Sequence, residues 1–318
     1  MKPKYEQPEN MATALDCAIR EFEVNNDVLA SGYQIPTNEP NYIYYNYMSN
    51  ESWVSFLNKM PENYKNQFKN GGGDEIEEKK GRWGVTPPKM ASFGSSSRLI
   101  YNLSKGIQGF IFEEQLDTRV GGIANLDGFL HKGNEYIYVE AKRREIYYGT
   151  HENEKIKSVY IPVYNKIQNI CGSSVFRYEP KEIKNKGKED VKGITFYINE
   201  TVVEYFDLKQ LICHFLGITY DLAKHNVKNA KVKLLYLLYN PNEVEDKIDE
   251  KYRVMKRYRE VVSFIESKYD AFKAIFDAVL QYQTETHKLE KPDIDFNFKL
   301  VDQDAYLNEL KKITEFLR

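Results

Sequence analysis

Residues 135 to 144 read Glu-Tyr-Ile-Tyr-Val-Glu-Ala-Lys-Arg-Arg. A strand alternates its faces, so Ile137, Val139 and Ala141 point one way while Tyr138, Glu140 and Lys142 point the other. A carboxylate and an ammonium therefore stand side by side. The segment before it carries Asp127 between Leu126 and Gly128, and the tight turn His131-Lys132-Gly133-Asn134 can bring Asp127 beside Glu140. Two carboxylates that converge on one strand pair repel each other and shift each other's pKa unless a cation lies between them. Hard oxygen ligands of this kind suit Mg²⁺, which keeps waters and borrows phosphate oxygens. A lysine on the same face can orient an attacking water or neutralise charge on a pentacovalent phosphate, as metal-assisted phosphodiester cleavage requires. A same-face ion pair without chemistry is the plainer alternative.

Glu-x-Lys alone carries little information, because it recurs at Glu77 and Lys79, Glu182 and Lys184, Glu266 and Lys268, and Glu309 and Lys311. The order of the surrounding elements distinguishes this copy. Serines 95 to 97 can cap a helix carrying Leu99, Ile100 and Leu103, ended by Gly106 and Gly109. A strand over 110 to 120, the turn Gly121-Gly122, a strand over 123 to 131 and the opening segment then form an antiparallel meander behind that helix. Pro162 suits the first turn of a helix continued by Val163, Ile167 and Ile170. Residues 179 to 193 are a charged excursion, expected as a solvated hairpin or loop. The helix over 204 to 218 buries Leu208, Leu211, Ile212 and Phe215, is expected to stop at Gly217, and presents Lys209, Gln210 and His214 on its polar face. The short apolar run up to Leu238, closed by Pro241, reads as a buried strand. A helix is also expected over 11 to 31, and one long helix or two over 243 to 284.

The stretch from Leu126 to Lys142 resembles the PD-(D/E)XK nuclease superfamily, the restriction-endonuclease-like fold. Asp127 matches its acidic residue, Glu140 and Lys142 match its Glu-x-Lys, and Leu126 stands where the motif name has proline. The resemblance implies an α/β fold with an αβββαβ core, its mixed sheet flanked by helices, and Mg²⁺- or Mn²⁺-dependent hydrolysis of DNA. It also implies that the backbone carbonyl of Ala141 is a metal ligand. A further acid from the first helix or strand often completes such sites; Glu113 and Glu114 are available, and Glu113 is preferred. More loosely, segments between 93 and 242 resemble bacterial proteins of uncharacterised activity grouped with restriction endonucleases. The expected organisation is an N-terminal extension over 1–92, a nuclease-like core over 93–242 and a helical region over 243–318. Members of the superfamily are often dimers, so a homodimer is compatible. A catalytically inactive module that keeps the fold and binds nucleic acid or protein is the alternative.

Composition narrows the partners. The 318 residues carry a formal charge of −2, so any polyanion must be met by a local patch, and Lys142, Arg143 and Arg144 supply one. Residues 251 to 260 form a second basic and aromatic run, more simply read as a solvated face. No apolar run approaches the roughly 18 residues of a membrane helix, the N-terminal residues lack the apolar segment of a secretory signal, and a soluble cytoplasmic protein is expected. Cys17, Cys171 and Cys213 lie far apart, which argues against a disulfide framework and against a thiolate zinc site. The glycines at 71 to 73 lack the Gly-Lys-Ser/Thr of a phosphate loop and read as a flexible loop. Gln210 and His214, one helical turn apart, either reach the site as supporting residues or form a structural pair.

Overall fold

The computed structural model describes residues 10–23, 33–34, 43–44, 47–72, 75–81, 84–147, 154–181, 191–248 and 250–315. The chain begins with α1 (Met11–Glu23), the paired strands β1 (Tyr33–Gln34) and β2 (Ile43–Tyr44), helices α2 (Asn50–Lys59) and α3 (Glu62–Asn70), and the hairpin β3 (Lys79–Gly81) with β4 (Gly84–Thr86). Next come α4 (Ser96–Ser104) and the strands β5 (Ile111–Asp117), β6 (Ile123–Lys132) and β7 (Glu135–Lys142). An antiparallel sheet follows, in which β10 (Val191–Ile198) pairs with β8 (Glu154–Lys157), β9 (Phe176–Lys181) and β11 (Thr201–Val202). Helix α5 (Ile161–Cys171) packs on it through Tyr164 and Phe196, with ring centroids 5.2 Å apart. The chain continues through α6 (Leu208–Lys224), β12 (Ala230–Leu238), α7 (Val254–Glu266), α8 (Tyr269–His287), β13 (Ile294–Val301) and α9 (Gln303–Glu315).

The fold is α/β, built on a mixed five-stranded sheet of order β13-β12-β7-β6-β5 flanked by helices. Strands β5, β6 and β7 form the antiparallel meander, and β12 lies parallel to both β7 and β13. Burial explains the pattern of each strand. Parallel strands enclosed on both sides read as unbroken apolar runs, and Leu234 to Leu238 of β12 are all buried. In β7 the polar face is also covered, since Tyr138, Glu140 and Lys142 are buried along with Ile137, Val139 and Ala141. The outer edge of β5 is protected by α3, whose Gln67 side chain accepts the Phe112 N–H at 2.9 Å, so that edge offers one fewer unpaired donor.

Several local expectations change. Helix α6 does not stop at Gly217 but continues to Lys224. A Cβ on Gly217 would lie 2.7 Å from Ala124 Cβ and 2.8 Å from Leu116 Cβ, so this glycine lets the helix sit close on β5 and β6. Residues 243–318 are not helical throughout, because β13 extends the central sheet. Two helices, α7 and α8, occupy the stretch expected as one or two. The charged excursion provides the ends of β9 and β10, with 182–190 outside the described residues. Helix α1 ends at Glu23, and the remainder of the expected helix lies outside the described residues. Among the described residues no helix is long and apolar enough to cross a membrane.

Candidate active site

The pairing of β6 with β7 runs from Lys132 with Glu135 up to Gly128 with Val139 and ends there, one step before Asp127 would meet Glu140. In place of the next backbone bond, Asp127 Oδ2 accepts the N–H of Ala141 at 2.7 Å. The N–H and C=O of a strand residue point to the same side, so the Ala141 carbonyl also faces the gap between the strands. On the other side of β6, Phe112 pairs with Gly128 and Glu114 with Leu126, which leaves Glu113 opposite Asp127. Glu113 has φ +56°, a left-handed conformation uncommon for such a residue. The strand rotates there: Phe112 packs its ring against Phe68 and Tyr101 of α3 and α4, whereas Leu116, of the same parity, lies under Gly217 of α6. Three neighbouring strands thus each deliver one acid, Glu113, Asp127 and Glu140, to a cavity of about 430 Å³ that Ala141 and Lys142 also line.

Lys142 Nζ is 2.7 Å from Glu140 Oε1 and donates to Gln210 Oε1 at 2.7 Å. Burial lowers its pKa, but Glu140, Tyr236, Glu145 and Asp127 around it more than offset this and keep it well above the ordinary lysine value. It is held as an ammonium. Asp127 moves well up from the usual carboxylate range, through burial first and then through repulsion from Glu140 and Glu113. Glu113 is pushed up to about 8 by burial, with Glu75 and Glu140 adding to the rise while the Ser97 hydroxyl at 3.1 Å and Lys89 act against it. His214 is 2% exposed and its pKa is lowered by burial, against the pull of Glu140. Its Nε2 lies 3.0 Å from the Asn125 carbonyl, which can only accept, so the proton sits on Nε2 and also points toward Glu140 Oε2 at 3.5 Å.

Gln210 and His214 therefore have separate tasks: one holds Lys142, and the other bridges Asn125 and Glu140. Glu114 does not line this cavity, and its pKa is raised by burial and by repulsion from Asp221. Arg143 is not brought to the cavity. It is 3% exposed, pairs with Glu23 of α1 and lies 5.0 Å from the centre of the Tyr239 ring. A guanidinium so enclosed cannot reach a phosphate in the cavity, and this corrects its expected role in nucleic-acid binding. Arg144 does line the cavity, although its Nη1 is engaged by Asp16 at 2.5 Å.

Sequence reasoning passed over several lining groups. Glu75, from the stretch after the glycines, is buried and pairs with Lys89 at 3.0 Å. Glu145 accepts from Ser96 Oγ at 2.6 Å and from the N–H groups of Arg143 and Arg144 at 2.8 and 3.0 Å. The N-terminus of α4 opens on the same cavity, with Ser95 capping Arg98 N–H at 3.1 Å. The glycines dismissed as a flexible loop approach the site closely: a Cβ on Gly71 would lie 2.6 Å from Glu113 Cβ, and one on Gly72 2.6 Å from Asn125 Oδ1. Gly71 and Gly72 are seated by close packing, and Gly73 lies outside the described residues.

The cavity is lined by five carboxylates, Glu75, Glu113, Asp127, Glu140 and Glu145, against three cations, Lys89, Lys142 and Arg144. With three of those acids contributed by adjacent strands, and Glu113 and Asp127 raised in pKa by burial first and then by neighbouring carboxylates, this donor set fits a hard divalent cation. Asp127, Glu140 and the Ala141 carbonyl would hold it, with Glu113 beside them. Among the described residues no group of three or more His, Cys, Asp or Glu side chains is close enough as it stands to hold a metal ion, and Lys142 pairs with Glu140 at 2.7 Å. Compared with family models, with curated proteins and with solved structures, the chain gives no match in any of the three.

Proposed function

We propose that the protein is a divalent-metal-dependent deoxyribonuclease, an endonuclease of restriction type that hydrolyses DNA phosphodiesters. The single observation that carries the reading is the delivery of Glu113, Asp127 and Glu140 from three neighbouring strands to one cavity that also holds Lys142. The succession α4, β5, β6, β7, α6, β12, interrupted by the β8 to β11 sheet, supports the αβββαβ core implied by the resemblance.

Mg²⁺ or Mn²⁺, when bound, would polarise a phosphate oxygen and acidify a water. The chain's own residues supply the rest. Lys142, kept protonated, donates to a phosphate oxygen and offsets charge that grows in the transition state, rather than accepting a proton from water. Gln210 fixes the lysine head and His214 fixes Glu140, so neither has to be ordered during reaction. The Ala141 N–H holds Asp127 Oδ2, leaving Oδ1 as the oxygen for the cavity.

The test is incubation of supercoiled plasmid with the full chain and Mg²⁺ or Mn²⁺, beside Asp127→Asn and Lys142→Ala. Cutting by the wild type alone is expected; equal cutting by the variants would remove the assignment. A second reading, a nuclease fold that binds without cutting, draws on the closed Lys142–Glu140 pair. Calorimetric titration with Mg²⁺ separates the two, because heat that Asp127→Asn abolishes belongs to the first.

A further inference from the structure

A second cavity of about 430 Å³ shares Asn125 and Gln210 with the acidic one. Its character is opposite. Cys213 and the Tyr160 ring give it an apolar wall, together with Ile123, a large apolar side chain left 54% exposed. Its cations are Lys155 and Lys157 on β8 and Lys209 on α6. Lys209 is neutralised by Glu154 at 2.6 Å, and Asp207 is occupied in capping α6 through the Gln210 N–H at 2.8 Å. Among the described residues neither Lys155 nor Lys157 has a carboxylate within ion-pair distance, and both are exposed. Their spacing places both on the face of β8 opposite to the buried Ile156. A flat apolar wall next to two available cations is what one nucleotide presents in reverse, a base face next to a phosphate.

We propose that this second cavity takes the nucleotide adjoining the scissile phosphate on the same DNA strand, with its phosphate against Lys155 and Lys157 and its base against Tyr160 and Ile123. The strand would cross the wall formed by Asn125 and Gln210. This assignment rests on the nuclease reading of the first cavity, and its test is a binding measurement that needs no cutting.

A fluorescein-labelled single-stranded 12-mer is titrated with the full chain in EDTA, at several salt concentrations, by fluorescence anisotropy. The double variant Lys155→Gln, Lys157→Gln should bind more weakly and lower the slope of log K against log salt by about 0.7 for each phosphate that is no longer neutralised. Tyr160→Leu should weaken binding about fivefold or more, the lower end of base stacking. Thermal melts by circular dichroism check that both variants fold, and Lys224→Gln with Lys228→Gln, at the far end of α6, controls for net charge. An unchanged slope in the lysine pair, an equal change in the charge control, or no binding of the single strand by the wild type would overturn the proposal. Plasmid cutting that survives while the lysine pair leaves binding unchanged removes the subsite and keeps the nuclease. A lowered slope with no plasmid cutting by the wild type keeps the nucleotide site and removes the nuclease.

Discussion

Two clusters of buried charge lie at opposite ends of the Lys142–Arg143–Arg144 run, and they are balanced differently. Around α1, Glu23 receives both Arg98 and Arg143, and Asp16 receives Arg144, so each guanidinium meets a carboxylate within the chain. A Cβ on Gly94 would strike both Arg144 and Asp16, which shows how tightly this cluster closes. Around Asp127 the acids outnumber the cations, and two of them are forced upward in pKa. Buried charge costs free energy unless it is paired. The first cluster gives each of its three guanidiniums a carboxylate, two of them sharing Glu23, and so ties the N-terminal helix to α4 and to the end of β7. On the reading proposed above, the second would leave that cost to a divalent cation, and Lys142 would then act in chemistry where Arg143 only holds the fold.

The sharpest way to separate them is by readout. Lys142→Ala should lower kcat for DNA cleavage by about 10² to 10³, the size of effect seen when one preorganised transition-state donor is removed. Its stability should fall as well, because Glu140, 3% exposed, keeps only the His214 contact, so kcat is read at equal folded fraction. Glu23→Ala should cost stability and leave kcat of the folded protein unchanged. It leaves Arg98 and Arg143, 2% and 3% exposed, facing each other without that carboxylate, and should cost about 3 kcal/mol of stability in urea titration at unchanged m. A stable Glu23→Ala protein would mean that α1 is held by its apolar face alone.

Much of the second cluster was legible and almost none of the first. The meander could be read because alternation, the Gly121-Gly122 turn and the Lys132-Gly133 turn are local signals; Gly121 and Gly133 indeed adopt φ +81° and +62°. Asp127 and Glu140 followed from a short hairpin. Glu113 was preferred over Glu114 only through a resemblance, since its left-handed φ, which rotates the strand, depends on the close approach of Gly71 from another element. Arg143 was misread because its partner Glu23 lies 120 residues away in sequence. Gly217 was misread because a glycine that stops a helix and one that seats it on a sheet look identical in one dimension. Strand β13 was hidden behind a long helical stretch, and only its register beside β12 makes it part of the sheet.

If the acidic cluster awaits a cation, adding one should stabilise the fold. Mg²⁺ at 100 times its Kd should raise stability by about 2.7 kcal/mol, visible as a rise in Tm. Glu23→Ala should keep that response, and Asp127→Asn should lose it. Without metal, Asp127→Asn should be more stable than the wild type by about 1 kcal/mol, because it removes a desolvated acid repelled by two others and keeps an acceptor for the Ala141 N–H. A variant less stable than the wild type in EDTA would show that Asp127 is already compensated.

The smallest effect is also the most direct comparison, because acids in unpaired and paired surroundings must respond to pH with opposite sign. Glu113 is raised from 4.5 to about 8, so between those values the folded chain keeps a proton that the unfolded chain has released. The unfolded state then binds fewer protons, and metal-free stability must fall as pH rises through that window. Glu309 is the contrast. Burial opposes its ionisation, yet Lys299 and Lys312 at 2.8 Å, with Lys233 beyond, lower its pKa to about 2. Its stabilisation is complete above 4.5 and is lost as pH falls toward 2. Urea titrations in EDTA should therefore show Glu113→Gln flattening the slope between pH 4.5 and 8, and Glu309→Gln flattening it only below 4.5. If Glu113→Gln left the upper slope unchanged, its carboxylate would already be neutralised within the chain, and the contrast between Glu113 and the paired Glu309 would be lost.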